Sequence, residues 1–463
     1  MKHKVVKLGG FFLMMSLFPL DSYSQSAPSL HEILDSAVVN DYHLENKQLG
    51  IESSRLDQEK IKDAYMPKVS VDGMGGYLYS GFDVTSPAFA LPNLGTIIPE
   101  NTNHYTLSSY MVTANAKASF LLYGGGKVGA LKKANAAKIN AETTMLEKDR
   151  QEIIGNALTA YDQLLMLKEV KKVLDESSKR LDENKKTADK AFSYGIITSY
   201  EQQKIELAQA QLQAKYREYE GKRQLILMHL HMLTNIEIER LEKIDSELEV
   251  AVVTKATSFE NRPEVNALNY AVTANEYKVR AAKTWWVPKV GASASLGYLG
   301  LLDGNLRSKD PMLLSGQKLN HDFNNFNVFP LFNAGIGLKW DIFDGREGIV
   351  DVKKVKLDLL IAENNRKDAT EKLGLNLKKT EIELNVANEQ LNVKDKAREI
   401  ARNAFHQASE EFKVGLIKST QLIEAENDVQ TAELEYAQAI FAQRRAVAEY
   451  LKAAGNLTES SFK

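Results

Sequence analysis

The chain carries one plan twice. Pro67-Lys68-Val69 returns as Pro288-Lys289-Val290, 221 positions later. At the same offset Gly124 answers Gly345, and Lys132-Lys133 answers Lys353-Lys354. Gly195-Ile196-Ile197 returns as Gly415-Leu416-Ile417 with one residue of slippage. A duplicated chain is parsed as two structural copies before any single motif is weighed. Each copy here alternates very long helical patterns with pairs of short alternating strands, a mixture that points to a membrane-crossing tube. The boundaries read as 25–235 for the first copy, 236–259 for a connector, 260–455 for the second copy and 456–463 for a tail.

The first residues read as an export signal, 1–24. Lys2, Lys4 and Lys7 supply the basic segment, Leu8 to Leu20 the apolar one, and Ser22 and Ser24 the small residues before a cut at Gln25. Leu8–Leu20 is too short for the roughly 20 apolar residues of a spanning helix. No later segment has such a run, so entry into a membrane has to use strands. There are no cysteines, which excludes disulfides, thiolate metal sites, a cysteine nucleophile and a bacterial lipid anchor together. A net charge of −2 gives no reason to expect nucleic acid.

Four long helices dominate, in two antiparallel hairpins: about 126–192 with 199–233, and about 346–413 with 419–454. Ile154, Leu158, Tyr161 and Leu165 follow a period of 3.5, and Leu377, Leu384 and Leu391 fall at strict sevens. That period keeps an apolar seam against a partner helix. The first of these helices would run roughly 100 Å, beyond any ordinary globular core. Shorter helices over 30–65 and 260–286 open the copies. Asn261-Arg262-Pro263-Glu264 is a good helix start, with proline in the first turn and an acid on the positive end of the dipole.

After each opening helix the period changes to 2. Over 67–80, Val69, Val71, Tyr77 and Tyr79 share a face against Lys68, Ser70 and Asp72. Over 108–122, Tyr110, Val112, Ala114, Ala116, Ala118 and Phe120 oppose Thr113, Asn115, Lys117 and Ser119. Over 288–300, Val290, Ala292, Ala294, Leu296 and Tyr298 oppose Lys289, Ser293 and Ser295. Over 332–344, Ala334, Ile336, Leu338, Trp340 and Ile342 oppose Lys339 and Asp341. The stretches 81–105 and 303–330 read as long exposed loops. Four such strands bounded by aromatics fit a transmembrane barrel, with lipid-facing apolar and lumen-facing polar residues. Lipid tolerates no open sheet edge, and four strands cannot close alone. Several chains then share one barrel under cyclic symmetry. A dimer gives eight strands and a filled interior, a trimer twelve and a lumen, and the polar inward faces favour the larger.

With its duplicated helix–strand–strand–helix–helix plan, the chain resembles the TolC family of outer-membrane efflux proteins over about 28–455. The resemblance rests on the Asn261-Arg262-Pro263-Glu264 start, the Pro67 and Pro288 helix-to-strand turns, and the Gly195-Ile196-Ile197-Thr198 and Gly415-Leu416-Ile417-Lys418 helix turns. It implies a mainly α protein with a membrane β-barrel, a trimeric twelve-strand barrel on a long α-helical barrel. It implies an outer-membrane exit duct that extends into the periplasm of a Gram-negative bacterium. The implied partners are a periplasmic adaptor and an inner-membrane pump of the RND, ABC or MFS type, for efflux or type I secretion. Carried over by position, adaptor docking falls on Gly195, Ile196, Ile197 and Thr198 and on Gly415, Leu416, Ile417 and Lys418. The family narrows its periplasmic mouth with acids after the second turn, where this chain has Gln421 and Glu424 in place of the frequent Asp pair; Glu201 is the matching position of the first copy. Three copies of Glu424 near one axis would raise each other's pKa and attract cations.

Two motifs are decoys. Gly124-Gly125-Gly126-Lys127-Val128 lacks the first Gly and the Ser/Thr of a phosphate loop and reads as a strand-to-helix bend. His229 and His231 lie on different helix faces. No nucleophile–base or paired-carboxylate arrangement stands out, so neither catalysis nor a cofactor nor a metal is expected. Trp285-Trp286 suits an interfacial aromatic belt. The competing classes are a periplasmic adaptor, which usually carries one hairpin rather than two, and a soluble coiled-coil scaffold, which leaves the strand alternation without a purpose.

Overall fold

A computed structural model describes residues 26–92, 95–253, 258–312 and 316–462; the expected signal peptide lies outside them. The helices are α1 (Leu30–Val39), α2 (Tyr42–Lys62), α3 (Lys127–Ser193), α4 (Ser199–Thr234), α5 (Ile238–Leu241), α6 (Pro263–Ala282), α7 (Glu347–Lys413) and α8 (Ser419–Ala454). The strands are β1 (Lys68–Ser86), β2 (Phe89–Leu91), β3 (Gly95–Ile98), β4 (Asn101–Tyr123), β5 (Lys289–Ser308) and β6 (Asn320–Lys339). The duplication holds in three dimensions. Helices α3 and α7 are each 67 residues long, and α4 and α8 are each 36.

The chain divides into two compact units. The first comprises Met1–Tyr42, Arg150–Ser258 and Asn376–Lys463, and the second His43–Asp149 and Phe259–Leu375.

The first unit is helical. Its seam residues Ile154, Leu158, Tyr161, Leu165, Leu384 and Leu391 are buried, and Leu377 packs partly buried against them. The connector is fastened by polar contacts. Gln443 donates from Nε2 to the Ala251 carbonyl (2.7 Å) and accepts from the Ala251 amide (3.0 Å). Arg444 pairs with buried Asp162 (Nε–Oδ2 2.8 Å) and donates to the Glu249 carbonyl (3.0 Å). Burial pushes the Asp162 carboxyl above its ordinary range, against the pull of Arg444. The tail is part of this core, for Leu457 and Phe462 are buried in it.

The opening stretch 30–65 is not one helix. It breaks at Asn40, whose side-chain amide donates to Ser36 O (2.8 Å) and to Thr234 O (3.0 Å), and it ends in a 3₁₀ turn, Asp63–Tyr65. Asparagine satisfies a helix end with its own side chain, a local preference that outweighed the continuing helical pattern.

The second unit holds the sheet. In the second copy, Pro263 is the first residue of α6 and the Arg262 guanidinium clasps Glu264 (Nε–Oε2 3.2 Å). Strand order is β1-β4-β5-β6, all antiparallel, and β2 and β3 form a separate small ribbon. The 3₁₀ turn lies against β4. The register aligns the alternations of all four strands. Val71 stands opposite Ala116, Ala116 opposite Leu296, and Leu296 opposite Phe332. One row away, Ser70 stands opposite Lys117, Lys117 opposite Ser295, and Ser295 opposite Asn333. At the helix-proximal end one face is therefore apolar and the other polar across all four strands; beyond the register shift between Gly297 and Leu299 the polar face also carries Met111, Leu301 and Phe326. The apolar face is bare, with Ile336 76% exposed.

The strands are about twice the 9–11 residues a bilayer needs, and they take in much of what composition marked as loop over 81–105 and 303–330. Pairing persists there through cross-strand contacts. Thr85 and Thr102 share a hydroxyl hydrogen bond (2.9 Å), and the rings of Phe82 and Tyr105 stack at 5.6 Å. Backbone pairing continues wherever two strands face each other, whereas alternation is needed only where one face must be apolar. Strand-to-helix bends follow β4 and β6, with positive φ at Gly125, Gly126, Gly345 and Arg346. At this junction the Trp340 indole donates to the Trp286 carbonyl (2.9 Å).

Candidate functional site

Two helix reversals stand side by side in the first unit, one from each copy. Gly195 (φ +69°) ends the turn after α3 and Gly415 (φ +75°) the turn after α7. The Ile196 amide donates to Ala191 O (2.8 Å) and the Gly195 amide to Phe192 O (2.9 Å); the Leu416 amide donates to Glu411 O (2.9 Å) and the Gly415 amide to Phe412 O (3.0 Å). This is the paired 6→1 and 5→2 closure that satisfies the last carbonyls of a helix, and it needs a left-handed residue at the glycine position.

The two apolar residues after each glycine separate. Ile196 and Leu416 are 65% and 75% exposed. Ile197 and Ile417 turn inward onto Ala188, Ile205, Phe412 and Leu422. Tyr194, Tyr200 and Val414 are also exposed, and a cleft of about 1010 Å³ runs between the tips. The tips touch where buried Ser419 donates from Oγ to Glu201 O (3.2 Å).

Glu201 and Gln421 sit three residues into the returning helices and cap them. The Glu201 carboxylate accepts from the Thr198 amide (3.0 Å), and the Thr198 hydroxyl accepts from the Glu201 amide (3.3 Å). Gln421 Oε1 accepts from the Lys418 amide (3.1 Å). The Thr198-x-x-Glu201 signature of a capping box is plain in the sequence. Glu424 is exposed and pairs with no cation among the described residues.

Sequence reasoning missed a buried charged cluster that begins two turns into α8. Glu426, 2% exposed, accepts from Ser177 Oγ (2.6 Å) and from Arg180 Nε (2.7 Å) and Nη2 (3.0 Å). Gln430 donates to Ser177 Oγ (3.0 Å) and accepts from Lys215. The Arg180 guanidinium lies 5.5 Å from the Phe405 ring, and Arg402 pairs with Glu433. All four hairpin helices are thereby joined. The signal was available: Leu422, Glu426, Val429 and Glu433 repeat at spacings of 4, 3 and 4. A carboxylate on an apolar seam has to find a buried partner.

Among the described residues no group of His, Asp and Glu is arranged to hold a metal, and His231 Nδ1 is engaged with the Ile236 carbonyl (2.8 Å).

Residues 257–456 match the family model described as outer membrane efflux protein. No curated protein sequence matches the chain. Several solved structures share the fold. The CmeC outer membrane channel of Campylobacter jejuni is similar at 16% identity and a TM-score of 0.65, over 99% of this chain and 95% of that one. The outer membrane protein VceC of Vibrio cholerae is similar at 15% and 0.66, over 92% and 96%. The MtrE outer membrane channel of Neisseria gonorrhoeae, solved in its open state, is similar at 15% and 0.67, over 94% and 91%. The second copy thus matches a model of outer membrane efflux proteins in sequence, and the chain as a whole shares the fold of solved outer-membrane channels.

Proposed function

We propose that this chain is the passive exit duct of a tripartite export assembly, a homotrimer whose sheets close into one twelve-strand barrel in the outer membrane. The observation that carries the reading is the sheet: one apolar face continuous over four strands, with β1 and β6 left as unpaired edges. In lipid such edges are intolerable. Pairing β6 of one chain with β1 of the next removes every edge when the ring closes. The apolar face then meets lipid and the polar face lines a lumen.

The hairpin tips are the docking surface for a periplasmic adaptor, through Ile196 and Leu416 around Gly195 and Gly415, with Thr198 and Lys418 starting the returning helices. Ile197 and Ile417 support the tip from within. Exposed apolar residues in a group, on a rigid turn, are what a partner covers. The adaptor would in turn engage an inner-membrane pump. Of the three mouth positions, Glu424 is the one free to present its charge, because Glu201 and Gln421 spend their side chains on helix caps. The Glu426 cluster holds the second hairpin to the first, so widening the mouth requires separating those groups.

The test is planar-bilayer recording of the purified, detergent-extracted protein. Discrete conductance steps from a trimer are expected. A protein recovered only as a soluble monomer without conductance would overturn the reading.

A further inference from the structure

We propose that the helix-proximal end of the sheet's polar face is a cationic belt that recognises solutes carrying several negative charges. This rests on the duct reading above, which makes that face the lumen wall. Four lysines gather there. Lys68 is the first residue of β1, Lys289 the first of β5 and Lys339 the last of β6, while Lys117 lies near the end of β4 that leads into α3. The register sets them on one face. Lys117 is opposite Ser70 and Ser295, Lys68 is opposite Ser119, and Lys289 is directly opposite Lys339. All four line a single concavity of about 530 Å³.

The charge there is unbalanced. Asp341 lies 3.9 Å from the Lys289 ammonium and 3.7 Å from that of Lys339, shared between the two. Lys68 and Lys117 pair with no carboxylate among the described residues, and Asp72, opposite Asn115, is the other acid on this face nearby. Each chain thus sets four ammonium groups against two carboxylates. Like charges directly opposite on neighbouring strands destabilise a sheet, yet Lys289 faces Lys339 where the serines and glycines of adjacent rows would do.

The opposite face is apolar, so no counter-charge reaches the lysines through the wall. Cyclic closure repeats the group in every chain at one depth of the lumen. Charges within a Debye length of about 8 Å reinforce one another, and low-dielectric walls focus their field on the pore. A solute with several phosphate or carboxylate groups bridges neighbouring lysines and is retained. A monovalent ion or a neutral solute is not.

The test is single-channel recording with sodium tripolyphosphate added on either side, in a KCl gradient. Reversible block of the wild-type protein is expected. In K68Q/K117Q the half-blocking concentration should rise about tenfold, as potentials of a few kT require, with the reversal potential moving toward cation preference. K68R/K117R should retain block. These two lysines are exposed and free of ion pairs, so neutralising them leaves no stranded partner charge; K289Q/K339Q is the second variant. Equal block and equal reversal potential in conducting wild-type and variant channels would overturn the belt while leaving the duct intact. No conductance from wild-type protein would overturn the duct reading, and this inference with it.

Discussion

Glu426→Leu is the substitution with the most to say about how the hairpins hold together. It removes a carboxylate that is 2% exposed and receives three hydrogen bonds, two of them from Arg180. Breaking one side of a buried ion pair costs about 3–5 kcal/mol, most of it from the charge left behind. Arg180 is not fully stranded. Its side chain is 21% exposed, Glu176 lies 3.6 Å away, and Phe405 offers a ring face. We therefore expect the lower part of that range or a little less, about 2–3 kcal/mol. At about 2–4 °C per kcal/mol for a unit of this size, the helical unfolding midpoint falls by about 5–10 °C. The assay is thermal circular dichroism at 222 nm, in one detergent and at one scan rate, since such unfolding is partly kinetic. Arg180→Met combined with Glu426→Leu should recover most of the loss, because an apolar pair of similar volume replaces a buried ion pair at little cost. A single variant that melts within a degree or two of wild type, or a double variant that is no better than the single, would refute the reasoning.

Gly195→Pro and Gly415→Pro each impose φ near −65° where the tip holds +69° or +75°; export should be lost while the protein remains in the membrane fraction, and full export with either change would count against docking at the tips. Val71→Lys places a charge on the apolar face and should cost about 2–4 kcal/mol near the bilayer midplane, visible as reduced assembly into the outer membrane; Asp72→Lys, on the polar face, should assemble as wild type. Glu424→Ala should reduce cation preference in planar bilayers without changing thermal stability, and an unchanged reversal potential would remove Glu424 from the mouth.

The sequence alone determined the plan. A repeat at an offset of 221 with one residue of slippage foretells equal helices, and the structure has pairs of 67 and of 36 residues. Periodicity determined which residues of α3 and α7 face inward and which strand positions share a face, because both depend only on local backbone geometry. Glycine at a helix reversal foretold the two tips for the same reason. Tertiary structure decided the rest. Strand length came from partners across the hairpin, not from alternation, so β1 and β4 run on through residues that composition marks as loop. The division of labour between Ile196, exposed, and Ile197, inward, was set by the neighbouring helices. Glu201 and Gln421 became caps because the turn brings their side chains back onto amides three residues earlier. The Glu426 cluster joins residues almost 250 positions apart. Its carboxylate on an apolar seam was legible, but its partners were not, because only packing of one hairpin on the other brings Ser177 and Arg180 to it.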